Sequence, residues 1–283
     1  MHIMKNLKNF FLENIKKTKI LIFLIIIKRV VYLFATIYST LRSGIFWLIK
    51  SREHTNFTFM PHSHSIEATK LFIINNFNVD KKKVDEIVSN CINTVTEKGE
   101  IYKIRNKNSF IDVDFNNNWD YRILTVLLFS CLDVKYLIEF GVSHGKLPYL
   151  IKNNLNFISS DKIYHGVELN KRKGVLLKNT KNNKQFFYFE KNVQTYLHEN
   201  LVNDFENSII VCSTHEKTSE ESIFDFFNKS NKLPKVIISD EVSKNSSYSK
   251  FVKSNDYKNH ILTFTDENKF IEPLFVGVSI KNS

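Results

Sequence analysis

An α/β fold is predicted by the sequence: a doubly wound, mostly parallel sheet with a C-terminal antiparallel strand, preceded by an N-terminal helical segment of membrane-surface type. Three features carry this prediction. After Asp133, short apolar runs alternate with amphipathic segments, the pattern of parallel strands buried under helices on both faces. The last two apolar runs are joined by the short connection 266–272, and so short a link closes an antiparallel pair, since a parallel return needs a crossover of about a dozen residues. The charge is unevenly placed: of the formal net +11, residues 1–53 hold +8, from ten Lys and Arg against two Glu, which leaves +3 for the rest.

That imbalance bears on partners. A net charge of +11 spread over one domain would suggest a polyanion, but a near-neutral body with a basic tail excludes a nucleic-acid-binding face covering the domain. With 43% hydrophobic and 13% aromatic residues the chain can bury a core, which excludes an intrinsically disordered protein. Cys91, Cys131 and Cys212 are far apart and odd in number. They form neither a disulfide framework nor a zinc spacing, and predict a reducing, cytoplasmic compartment.

Three regions follow: a basic amphipathic tail (1–53), a helical and hairpin lead-in (54–132) and the α/β domain (133–283). In the tail, the apolar run Ile20–Ile27 stops at Lys28-Arg29. It is shorter than the roughly 20 residues a span needs, and each of those charges at a span's centre would cost about 2.5–3.5 kcal/mol. From Lys28 onward, Lys28, Tyr32, Thr36, Ser39, Ser43 and Lys50 form one helical stripe, with Leu33, Phe34, Ile37, Leu41, Ile45 and Leu48 opposite. Residues 16–50 are therefore expected to lie peripherally on the cytoplasmic membrane surface, with Lys and Arg reaching anionic headgroups. A single span and a helical hairpin packed on protein are the alternatives. No small-residue cleavage site follows the apolar run, so a secretory signal is not expected.

In the lead-in, residues 51–62 read as a linker. Ser65–Asn76 and Asp80–Thr96 read as helices, the second capped by Asp80. Ile101–Arg105 and Ser109–Val113 alternate as a hairpin about 106–108, and Trp119–Cys131 reads as a buried helix. His62 and His64 have no third ligand nearby and read as a surface loop. In the domain, strands are expected at Val134–Phe140, Lys162–Glu168, Gln185–Phe189, Ser208–Ser213, Lys235–Ser239, His260–Thr265 and Pro273–Ile280. Helices are expected at Lys146–Asn153, Lys171–Asn179, Val193–Leu201, from the capping box Thr218-x-x-Glu221 through Phe227, and at Tyr248–Ser254.

The chemistry is concentrated in Glu139-Phe140-Gly141-Val142-Ser143-His144-Gly145, at the end of the first strand of this domain and the start of a helix. Gly141 permits a sharp turn and Gly145 a close backbone approach to a ligand. In a doubly wound sheet such a turn lies at the carboxyl edge, where small ligands bind. Glu168 ends the next strand, where a carboxylate can accept hydrogen bonds from two vicinal ribose hydroxyls. A dinucleotide fingerprint, G-x-G-x-x-G, is not met: Ser143 and Lys146 stand at its second and third glycines.

The spacing resembles the acidic-x-Gly-x-Gly-x-Gly loop of class I S-adenosylmethionine-dependent methyltransferases, a Rossmann-like family. Glu139, Gly141 and Gly145 match and Ser143 replaces the middle glycine, with the resemblance running over about residues 115–283. It implies S-adenosylmethionine as cofactor, with Glu139 and the Gly141–Gly145 backbone at its methionine end, Ser143 and His144 lining the pocket, Glu168 on the ribose, and Asn192 where the family often has an Asp near the adenine. Acceptor chemistry in this architecture sits after the fourth and fifth strands of the domain, at Ser213-Thr214-His215 and Ser239-Asp240-Glu241. An imidazole ordinarily titrates near neutrality, so His215 is a candidate to deprotonate an acceptor, and Asp240 or Glu241 can do the same or bind a metal. Metal-dependent catechol-type O-methyltransferases place Asp-Asn after strand five and an Asp after strand four. Asp240-Glu241 and Ser213-Thr214 depart from that pattern, so Mg²⁺ is kept only as an alternative and no metal site is expected. The resulting expectation is O- or N-methyl transfer at the membrane surface to a small-molecule, glycan or lipid-linked acceptor. The alternative is a non-catalytic, membrane-tethered interaction module in a glycan-assembly complex.

Overall fold

The computed structural model describes residues 57–60, 66–105, 120–142, 145–169, 183–199, 202, 204–214, 216–240, 242, 246–264 and 274–282. The predicted tail, His62 and His64, the strand Ser109–Val113 and the helix Lys171–Asn179 lie outside these residues.

Among the described residues, eight strands form one sheet: β1 (Phe57–Met60), β2 (Tyr136–Phe140), β3 (Ile163–Val167), β4 (Phe186–Phe189), β5 (Ser208–Cys212), β6 (Val236–Ser239), β7 (Tyr257–Phe264) and β8 (Leu274–Lys281). Their order is β1-β7-β8-β6-β5-β2-β3-β4. β8 lies antiparallel between β6 and β7, and every other pairing is parallel. Seven strands therefore present their carboxyl ends to the same edge. The helices are α1 (Ile66–Phe77), α2 (Lys81–Arg105), α3 (Asp120–Cys131), α4 (Lys146–Asn153), α5 (Val193–His198), α6 (Lys217–Ser230) and α7 (Ser246–Ser254).

The central strands are buried throughout because they are apolar throughout. All five residues of β5 (Ser-Ile-Ile-Val-Cys) and all four of β6 (Val-Ile-Ile-Ser) are inaccessible. Alternation then sorts their side chains between two cores. Leu137, Ile209, Val211, Val236 and Ile238 join Phe72, Ile87, Leu124, Leu128, Leu147 and Leu150 of α1–α4. A second cluster of aromatic rings joins α6 and α7: Phe227 lies 5.3 Å from Phe205 and 6.2 Å from Phe251, which is 5.1 Å from Phe224.

Several boundaries differ from those read in the sequence. Residues 57–60, assigned to a linker, form the edge strand β1 beside β7. Four alternating residues next to a polar stretch are too few to announce a strand before a partner is known. Ile101–Arg105 is not a hairpin strand but the last turn of α2, and Ile101 and Ile104, three apart in sequence, have a helical rather than an alternating spacing. The capping box at Thr218 is not used. Glu216 is the N-cap of α6, Thr218 lies within the helix, and the Thr218 carbonyl accepts from Ser222 Oγ at 2.8 Å. Asp80 does cap α2, accepting from the backbone of Lys82 at 3.2 Å and Lys83 at 3.3 Å. Cys91 and Cys212 are buried, Cys131 is half-buried, and all three are free thiols. Among the described residues, no helix is long and apolar enough to cross a membrane.

Candidate functional site

A sharp turn follows β2 at the sheet's carboxyl edge. Gly141 has φ +89°, a conformation that strains any residue with a Cβ. Its N–H donates to Val167 O of β3 at 2.9 Å, while Ser213 N, just past β5, donates to Phe140 O at 2.9 Å. The turn is thus wedged between its two neighbouring strands. A Cβ at position 141 would lie 2.6 Å from Ser213 O and 2.9 Å from Thr214 N, so space as well as conformation demands glycine. Gly145, with φ +73°, is the N-cap of α4 and donates to Val142 O at 2.9 Å. Pro148 stands in the first turn of α4, where a missing N–H costs nothing. The N-terminal end of a helix favours negative charge, and that of α4 opens directly from this turn.

Beneath this loop lies Glu139, 1% exposed. The Tyr164 hydroxyl donates to its Oε2 at 2.5 Å. Register explains the meeting: Glu139 pairs with Gly166, and Tyr164, two residues earlier on β3, shares a sheet face with Gly166. A Cβ at position 166 would be 2.9 Å from the Tyr164 hydroxyl and 2.9 Å from Val142 Cγ2. Burial pushes the Glu139 carboxyl up to about 8, against the opposing pull of the Tyr164 bond and the Arg122 charge, while Asp240 and Glu168 push it further up. Burial likewise holds the Tyr164 phenol far above its ordinary range, and the Glu139 charge adds to that. From α3, Arg122 stacks on Tyr121, its guanidinium carbon 4.4 Å from the ring centroid, and the Tyr121 hydroxyl lies 3.4 Å from Ser213 Oγ.

Of the remaining predicted residues, Glu168, Asn192 and Asp240 follow strands at the same edge. Glu168 directly follows β3, is half-buried, and its N–H donates to Phe189 O at 3.1 Å. Asn192 is the N-cap of α5, its Oδ1 accepting from Thr195 N at 2.7 Å, so that oxygen is committed to the helix. Asp240 directly follows β6, is 8% exposed, and its N–H donates to Cys212 O at 3.2 Å. Glu139, Glu168 and Asp240 are close enough for their charges to interact. Ser143, His144, His215 and Glu241 lie outside the described residues. Among the described residues, no three His, Cys, Asp or Glu side chains gather as a metal site. Sequence reasoning missed Tyr164, Tyr121 and Arg122. For Tyr164 a signal existed, an aromatic residue two before a strand glycine, but its meaning depends on the β2–β3 register.

A sheet with β8 reversed between β6 and β7, and a glycine turn after the central strand β2, is a Rossmann-like α/β architecture. No protein-family model matches the sequence, and no curated protein matches it. Among solved structures, the chain is similar to the O-methyltransferase from Bacillus cereus in complex with SAH, with TM-score 0.46 and 12% identity over 76% of this chain and 97% of that one. It is similar also to precorrin-6y C5,15-methyltransferase from Geobacter metallireducens GS-15, with TM-score 0.44 and 15% identity over 58% and 90%. A third similar structure is spermidine synthase from Thermotoga maritima, with TM-score 0.42 and 12% identity over 57% and 59%.

Proposed function

We propose that this chain is an S-adenosylmethionine-dependent methyltransferase. The observation that carries the reading is the turn after β2: a glycine loop opening α4, with the acidic Glu139 beneath it and Glu168 at the end of the adjacent strand. The donor set suits this cofactor. The turn leads into the N-terminal end of α4, which favours a carboxylate, and a cluster of carboxyl groups favours a ligand bearing an ammonium and a sulfonium. When bound, the cofactor supplies an electrophilic methyl carbon.

The chain's own residues then have three tasks. Glu139 and the Gly141–Gly145 backbone, with Ser143 and His144, hold the methionine end. Glu168 accepts from the ribose hydroxyls, and Asn192 lies toward the adenine. His215, Asp240 or Glu241 removes the acceptor's proton, and the buried edge positions and desolvates the reacting groups. Residues 16–50 place the enzyme on a membrane surface, where a glycan or lipid-linked acceptor would be met.

Calorimetry of the full chain with S-adenosylmethionine and S-adenosylhomocysteine tests this. Binding of both is expected, and Glu168→Ala should weaken each about tenfold, the loss of hydrogen bonds to a charged group. No heat at high micromolar ligand rejects the enzyme and favours the non-catalytic module. Undiminished binding by Glu168→Ala rejects the ribose assignment.

A further inference from the structure

Glu139 and Tyr164 form a buried pair with no counterpart among the residues read from the motif. Both are nearly inaccessible, at 1% and 2% exposure. The phenol reaches from β3 across to β2 because position 166 has no side chain: a Cβ there would stand 2.9 Å from the hydroxyl and 3.1 Å from Cε1. Phe186 of β4 supports the ring at 5.5 Å between centroids. A carboxyl group so deeply buried is costly to ionise without a donor, and a single hydroxyl at 2.5 Å also fixes the rotation of the carboxyl plane.

We propose that Tyr164 is a positioning residue for cofactor recognition: it orients Glu139 and supports its ionised form, and Gly166 is the gap that admits its hydroxyl. This rests on the reading of the β2 turn as a cofactor site. The charged and titratable groups around the pair are Arg122 and Tyr121 of α3, Glu168 after β3, Asp240 after β6 and Tyr188 of β4. Arg122 favours the carboxylate, and Glu168 and Asp240 oppose it. Loss of the Tyr164 hydroxyl therefore moves Glu139 toward its neutral form, which attracts a cationic ligand less.

The test compares wild type, Tyr164→Phe, Gly166→Ala, Glu139→Gln and the Glu139→Gln/Tyr164→Phe double variant by calorimetry with S-adenosylhomocysteine between pH 6 and 9.5. In wild type, affinity should rise as the pH passes through about 8. In Tyr164→Phe it should fall about tenfold at pH 7, with the midpoint displaced to higher pH, and Gly166→Ala should do the same. Glu139→Gln should flatten the profile, and the double variant should bind no more weakly than Glu139→Gln alone. An unchanged midpoint in Tyr164→Phe, or additive losses in the double variant, overturns the proposal.

A ligand-free readout separates this from the cofactor reading. Glu139 keeps its proton in the folded state up to about pH 8 but only to about 4.5 in the unfolded chain. Its contribution to stability is complete below 4.5 and is lost as the pH rises toward 8. Urea unfolding should show that loss extending to higher pH in Tyr164→Phe and absent in Glu139→Gln. If wild type binds no ligand yet these profiles hold, the pair stands and the cofactor reading falls. If the unfolding profiles of wild type and Tyr164→Phe coincide, the pair falls.

Discussion

A missing Cβ does more at Gly141 than any side chain could. Conformation and space act there together: φ is +89° and Ser213 O would meet an added methyl at 2.6 Å. The left-handed strain costs about 1–2 kcal/mol and overpacking about 1–3 kcal/mol. Gly141→Ala is accordingly expected to lose roughly 2–5 kcal/mol in urea unfolding, and a loss under 0.5 kcal/mol would show that the turn relaxes freely. At this scale the sequence was informative where spacing alone matters. Glu139, Gly141 and Gly145 could be found because a strand, a turn and a helix start lie within seven residues. Tyr164, Tyr121 and Arg122 could not, because they reach Glu139 only through strand register and the docking of α3.

Between elements, the seat of α1 on β7 holds a second unusual group. His260 is 3% exposed, its ring 5.1 Å from Phe72 of α1, and neither ring nitrogen has a hydrogen-bond partner among the described residues. Burial, helped by the charge of Lys258, pushes it down to about 4 from its ordinary 6.5. Above pH 6.5 both folded and unfolded chains hold it neutral, so its titration adds no cost to folding there. As the pH falls from 6.5 toward 4 only the unfolded chain takes up the proton, and stability declines. His260→Phe should restore about 1–2 kcal/mol at pH 5 and leave the pH 7.5 value nearly unchanged, measured by urea unfolding. Equal effects at both pH values would assign the change to packing instead. Elements with their own periodicity were legible: seven strands of the domain lie where apolar runs predict them. β1 and the end of α2 were not, since four residues of β1 take their identity from β7, and Gly99 reads as the end of a helix although α2 runs on to Arg105.

Over the whole molecule, +8 of the +11 net charge belongs to residues 1–53, so electrostatic attraction to a membrane should depend on that segment. The full chain is expected to float with phosphatidylserine vesicles at low salt and to be released by salt, because such attraction is screened within a Debye length. A Lys28→Glu/Arg29→Glu variant should float less. Equal flotation of variant and wild type would remove the anchor from the proposed function. The fold also joins what the chain keeps apart. The turn after β2 and the segment after β5 are more than 70 residues distant in sequence, yet the backbone of Ser213 and Thr214 fills the volume that a Cβ at Gly141 would need. Neither segment can accept a bulkier conformation alone. In an evolving lineage the two would therefore have to drift as one heritable unit, and any change of course after β5 would be restricted to backbone paths that leave the β2 turn untouched.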